Sequence, residues 1–95
     1  MVKIVYTYFF LFISITITAK TLHVGKQYGN ISIQQTVDLA NNGDTVIVES
    51  GHYHEKNLII EKSIVLLGIN LPILDGDKKY EIISIKADNV TVDGF

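Results

Sequence analysis

Short β-branched segments, separated by Gly, Asn and Asp, fill the second half of the chain and constrain its fold more than any other feature. They cover residues 45–48, 57–60, 63–68, 72–76, 82–86 and 89–94. Such segments with period-two alternation predict short strands. None of the links between them is the two-residue Asn-Gly type that marks a hairpin. The links are also too short for the crossover helices of a parallel α/β sheet.

Three of these strand positions return at one constant offset along the chain. Residues 64–68 align with 90–94, residues 46–48 align with 72–74, and the segment around Ile59 aligns with that around Ile85. A fixed return distance is typical of a solenoid, in which stacked strands lie about 4.8 Å apart. We therefore predict an all-β fold, a right-handed parallel β-helix truncated after roughly two coils. A small, evenly spaced β-sandwich is the alternative.

One helix is predicted ahead of the main strand series. Ser32 is suited to the N-cap, and Gln35 stands three residues later, as in a capping box. Gly43 is a suitable left-handed residue for the end of the helix. One apolar stripe at helical spacing is formed by Ile33, Val37 and Ala40. We expect this helix to cap the open end of the solenoid.

The first 19 residues have the layout of a secretory signal peptide. A basic start at Lys3 precedes an uncharged stretch over residues 4–17, and Ala19 is a small residue at the predicted cut. The alternative, an uncleaved anchor, is disfavoured because residues 4–19 span only about 24 Å as a helix, against about 30 Å of bilayer core. We predict a periplasmic or secreted protein that does not span the membrane after cleavage.

The predicted organisation has four parts. These are a signal peptide at 1–19, a lead-in segment at 20–31, the N-terminal cap helix at 32–43, and the first two coils of a truncated β-helix domain at 44–95.

Composition excludes several classes of function. The chain has no cysteine, which rules out disulfides, zinc fingers and thiol catalysis. Its basic residues are all lysines, and beyond residue 19 seven lysines face ten acidic residues, a net charge of about −3. Arg is the residue that most often forms bidentate hydrogen bonds with phosphates and base edges. Because the chain has no Arg, no nucleic-acid partner is expected.

His52 and His54 are the candidate metal ligands. On an extended backbone their side chains point to the same side, about 6.5–7 Å apart, and two imidazoles at that spacing suit copper or zinc. Glu55 or His23 could complete such a site. The alternative, which the sequence alone favours, is a turn with Tyr53 in the core and both histidines solvated.

Asp75 and Asp93 are the carboxylates that stand at the ends of predicted strands. Sugar-cleaving enzymes need two carboxylates about 5–10 Å apart. These two lie closer in sequence than the offset that joins residue 64 to residue 90, so we do not expect them at one corner. Asp-Gly is also a common turn dipeptide. We predict no catalytic and no cofactor-binding residue.

A series of motifs in order resembles the opening of NosD-type periplasmic proteins. They are the runs at residues 32–35, 42–48, 51–55, 58–68, 73–76 and 87–95, which include Asn42-Gly43-Asp44-Thr45, Gly51-His52-Tyr53-His54-Glu55 and Ile73-Leu74-Asp75-Gly76. The resemblance implies a right-handed parallel β-helix of the pectin-lyase-like superfamily, which also contains carbohydrate-binding proteins and sugar hydrolases. It also implies a structural role for Tyr53 and Leu58 in the core and for Gly68 and Gly94 in turns.

The resemblance further implies a function. NosD-type proteins are accessory factors that work outside the inner membrane with an ABC transporter and help to mature the copper–sulfide centre of nitrous oxide reductase. We therefore expect a non-enzymatic scaffold that assists copper-site assembly, with that transporter and reductase as partners and copper as the candidate ligand of the whole protein. The alternatives are a carbohydrate-binding or polysaccharide-degrading protein, and a surface adhesin.

Overall fold

The computed structural model describes residues 18–29, 31–78 and 82–95. Residues 1–17 of the predicted signal peptide lie outside the described residues. Residues 18–20 are exposed and have no regular secondary structure. Within the described part of the chain, no helix is long and apolar enough to cross a membrane.

The described residues form eight short strands, one α-helix and a 3-10 turn at Lys26–Tyr28. In chain order they are β1 (Thr21–Val24), α1 (Ile33–Leu39), β2 (Thr45–Val48), β3 (His52–His54), β4 (Leu58–Ile60), β5 (Val65–Gly68), β6 (Ile73–Asp75), β7 (Ile83–Ile85) and β8 (Thr91–Asp93). The strands are short because Gly, Asn, Asp and Ser interrupt the apolar runs.

The predicted capping box of α1 is confirmed. The Ser32 hydroxyl accepts a hydrogen bond from the Gln35 N–H at 3.1 Å, and the Gln35 side chain accepts one from the Ser32 N–H at 3.0 Å. The helix ends at Leu39, earlier than predicted, because Ala40 is already extended. Gly43, with φ of 92°, lies in the turn that follows rather than at the helix end.

Every strand pair among the described residues is parallel, as expected from the missing hairpin signals. One sheet has the order β1-β2-β5-β8, and two smaller sheets contain β3-β6 and β4-β7. The core lies between these sheets under α1, which contacts β1, β2 and β4. The apolar stripe of the helix and the core position of Leu58 are confirmed. The buried apolar side chains are Val24, Ile33, Val37, Ala40, Val46, Val48, Leu58, Ile60, Ile64 and Leu66.

The prediction of a right-handed parallel β-helix is wrong. The described residues form three small sheets of four, two and two short parallel strands with one helix, and no closed solenoid is found among them. The expected common repeat is absent, because the step from Thr45 to its partner Val65 is shorter than the step from Val65 to its partner Thr91. Alternating β-branched residues encode a strand, but they do not encode which strand becomes its neighbour.

The errors in the predicted strand alignments follow from this uneven spacing between paired strands. The predicted alignment of residues 64–68 with 90–94 is confirmed by the pairing of β5 with β8. The alignment of residues 46–48 with 72–74 is wrong, because they pair with residues 66–68. The alignment of Ile59 with Ile85 is off by one, since Ile59 pairs with Ser84.

Two strands are not expected from the sequence. β1 lies in the predicted lead-in segment and pairs with β2, with Thr21 opposite Thr45. β3 occupies the stretch where the sequence favours a solvated turn, and it pairs with β6. This second strand brings the two candidate metal ligands onto a sheet.

Candidate metal centre

The candidate site lies on the outer face of the β3-β6 pair. His52 is opposite Ile73 and His54 is opposite Asp75 in the parallel register. Successive side chains of a strand point to opposite faces, so the middle residues, Tyr53 and Leu74, pack against the core. The two histidines and Asp75 are thereby placed together on the solvent side.

Three potential metal ligands converge there. One ligand atom from each of His52, His54 and Asp75 lies within 4.8 Å of the others. His52 Nε2 is 2.9 Å and His54 Nδ1 is 3.9 Å from Asp75 Oδ2. The two imidazole rings stack with centroids 4.6 Å apart and an interplanar angle of 18°. The same carboxylate oxygen therefore faces both rings.

The Asp75 carboxylate is held in its ionised form. The hydrogen bond that it accepts from His52 lowers its pKa, and the N–H of Asp77 lowers it further by donating to Oδ1 at 2.8 Å. An ionised carboxylate is the form that binds a metal ion. Because Oδ1 is engaged by the backbone, Oδ2 is the oxygen turned toward the histidines.

Tyr53 anchors the strand that carries both histidines. Its ring packs against the core, and its hydroxyl donates a hydrogen bond to the Glu49 carbonyl at 2.8 Å. Burial raises the pKa of this hydroxyl. The predicted core position of Tyr53 is confirmed, and so is the solvation of the histidine side chains, which are 51% and 63% exposed.

Glu55 and His23, the two residues that could have completed the metal site, do not join the cluster. His23 lies on β1 in the four-stranded sheet, where its ring stacks on Tyr28 at 4.8 Å. Glu55 Oε1 accepts a hydrogen bond from the Gln34 N–H at 2.9 Å, at the start of α1. Both residues are thus engaged elsewhere in the fold.

Asp75 is the candidate ligand that the sequence does not identify, because the sequence suggests Asp75 only for carbohydrate chemistry. The register places it opposite His54, whereas the predicted repeat places it opposite Glu49. A histidine pair and an Asp-Gly-Asp turn on neighbouring strands are the available signal. Only the correct register brings the two together.

The two candidate carboxylates for sugar cleavage, Asp75 and Asp93, lie on different sheets. Asp75 belongs to the β3-β6 pair, and Asp93 ends β8 in the four-stranded sheet. This agrees with the expectation that they would not share a corner. The carbohydrate alternative stays a prediction.

Chemically, two imidazole nitrogens and one carboxylate oxygen form a donor set for a borderline transition metal ion. Such ligands suit Cu²⁺, Zn²⁺ and Ni²⁺, and among these Cu²⁺ generally binds most tightly to a given nitrogen and oxygen site. Mg²⁺ and Ca²⁺ prefer shells of oxygen ligands, which this cluster does not supply.

Comparisons with models of protein families, with curated proteins and with solved structures found no match to this chain.

Proposed function

We propose that this chain is an exported accessory protein that binds a copper ion on the outer face of the β3-β6 pair. The convergence of His52, His54 and Asp75 within 4.8 Å supports this proposal more than any other observation. The ligands come from two strands whose inner faces are anchored in the core. The ion would therefore meet a largely preformed site, and binding would not require a flexible segment to become ordered.

The exposure of the cluster supports a carrier role rather than a structural one. Structural zinc sites are usually closed, whereas the side chains of His52, His54 and Asp75 are between 35% and 63% exposed. An ion held by such exposed side chains stays accessible to an incoming ligand from another molecule. Such a site is suited to loading and releasing its ion.

The wider role follows from the resemblance to NosD-type proteins and from the signal-like N-terminus. We propose a periplasmic, non-enzymatic protein that assists copper-site assembly of nitrous oxide reductase together with an ABC transporter. The copper site would be the part of the chain that handles the metal. Pull-down of the reductase and transporter by the copper-loaded protein tests this role, and recovery of neither partner would overturn it.

Metal binding itself is tested by calorimetric titration of the full chain with Cu²⁺, Zn²⁺ and Mg²⁺. We expect one Cu²⁺ per chain, weaker Zn²⁺ binding and no Mg²⁺ binding. Replacement of either ligand, His52→Ala or His54→Ala, is expected to weaken Cu²⁺ binding by at least about tenfold. The matched control is His23→Ala, an exposed histidine on another sheet. Equal affinities in all three variants and the wild type would contradict the site.

A further inference from the structure

The turn after β6 brings a second carboxylate to the cluster. Asp77 Oδ1 lies 3.5 Å from His54 Nδ1. The turn reverses at Asp77 and Lys78, which have positive φ of 56° and 59°. The Asp77 N–H closes the turn by donating to Asp75 Oδ1. One short segment thus presents two carboxylates to the imidazole of His54.

We infer that Asp77 is a fourth ligand of the metal ion, an inference that rests on the proposed function of this site. Its carboxylate is nearer to His54 Nδ1 than the Asp75 oxygen is, at 3.5 Å against 3.9 Å. A side chain that is 58% exposed can turn toward an ion without disturbing the core. The donor set then becomes two nitrogens and two oxygens.

Two features of the turn suit Asp77 to this role. Aspartate tolerates the left-handed backbone region better than most residues, so the turn is compatible with the ligand that it carries. Its N–H fixes one oxygen of Asp75 and leaves the other for the ion, as hydrogen bonds to ligands do in metal sites. Asp77 therefore acts on the site through its backbone and, in this inference, through its carboxylate.

A set of four ligands whose charge neutralises that of a divalent ion also favours some metal ions over others. Two imidazoles with two carboxylates balance the charge of a divalent ion, and a nitrogen and oxygen set is typical of tetragonal Cu²⁺. With Asp77 the site holds Cu²⁺ more tightly than the three-ligand cluster alone. Without Asp77 the ion must complete its shell with water.

The test compares Asp77→Asn with the wild type. Asparagine keeps the size, the N–H and the tolerance for a left-handed backbone, so the turn and its bond to Asp75 are retained. We expect Cu²⁺ affinity to fall about tenfold. We also expect the Cu²⁺ electron paramagnetic resonance spectrum to change, because a charged oxygen leaves the coordination shell. Asp93→Asn, which removes a carboxylate from β8, is the matched control with unchanged affinity and spectrum.

The outcomes separate this inference from the proposed function. If the wild type binds no Cu²⁺, the proposed function fails. If the wild type binds Cu²⁺ and Asp77→Asn binds it equally well, only the fourth ligand is overturned. A loss of affinity with an unchanged spectrum also overturns it, because the carboxylate then acts by charge at a distance and not as a ligand.

Discussion

The side-chain amide of Gln34 pairs with the backbone of Ile59 as a neighbouring strand would. Its Oε1 accepts from the Ile59 N–H at 2.8 Å, and its Nε2 donates to the Ile59 carbonyl at 3.0 Å. Ile59 is the middle residue of β4, whose other edge is paired with β7. One side chain of α1 therefore satisfies a sheet edge that would otherwise need water or another strand.

Replacement of that side chain should destabilise the fold. In Gln34→Ala, the N–H and the carbonyl of Ile59 lose a partner in a partly buried position. Leaving such groups unsatisfied costs about 1–3 kcal/mol. Urea denaturation should show this loss, and Gln27→Ala, at an exposed position of the 3-10 turn, should change the free energy of unfolding little. Equal stabilities of the two variants would contradict the pairing.

The helix is predictable from the sequence because its signals are local. Ser32, Gln35 and the apolar stripe act within one or two turns, so spacing along the chain is enough to identify them. Most of the strands are predictable for the same reason. The exceptions are β1 and β3. Both alternate polar and apolar residues, but their runs, Thr21-Leu22-His23-Val24 and His52-Tyr53-His54, are short and lie beside Gly25 and Gly51, which favour a turn.

The pairing of strands is less predictable, because it depends on the lengths of the turns between them. Val46 pairs with Leu66 and not with Pro72, its counterpart in the predicted repeat. The same uneven spacing brings Asp75 opposite His54. The number of residues between a strand and its partner differs among the pairs β2-β5, β3-β6 and β4-β7. Nothing in the alternation of apolar residues distinguishes these separations. The sequence therefore indicates the candidate metal site only through its histidine pair, without Asp75.

Acid should destabilise the protein through Asp44. This buried carboxylate accepts hydrogen bonds from the Lys20 N–H at 2.8 Å and from the Asn41 N–H at 2.9 Å, which lower its pKa below 3.8. A depressed folded-state pKa contributes stability that is present above the unfolded-state pKa and lost as the pH falls through the folded value. The free energy of unfolding should therefore decline from about pH 4 downward.

Asp44→Asn is the variant that isolates this contribution. We expect it to be less stable than the wild type at neutral pH and to show a flatter pH dependence below about pH 4. Denaturant titrations at several acidic pH values measure the slope. Asp88→Asn, at an exposed position, serves as the control. A wild-type slope retained by Asp44→Asn would assign the acid sensitivity to other groups.

Gly68 is needed because the chain passes close to it. A Cβ at this position would lie 2.6 Å from the Gly94 carbonyl oxygen and 2.8 Å from Pro72 Cγ. The backbone at Gly94 must shift to admit it, so Gly68→Ala should lower stability by about 1–3 kcal/mol. Thermal denaturation should show a lower Tm for Gly68→Ala than for the wild type, and an unchanged Tm would contradict the close approach.

Copper should stabilise the folded chain, because the ion would join β3 to β6 through ligands on both strands. At a free Cu²⁺ concentration of about 100 times the dissociation constant, binding adds about 2.7 kcal/mol to the free energy of unfolding. Thermal denaturation with and without Cu²⁺ measures this gain, and a chelator should reverse it. The double variant His52→Ala, His54→Ala should lose the gain while His23→Ala keeps it. A copper-dependent rise in Tm of the same size in the double variant would place the ion elsewhere on the molecule.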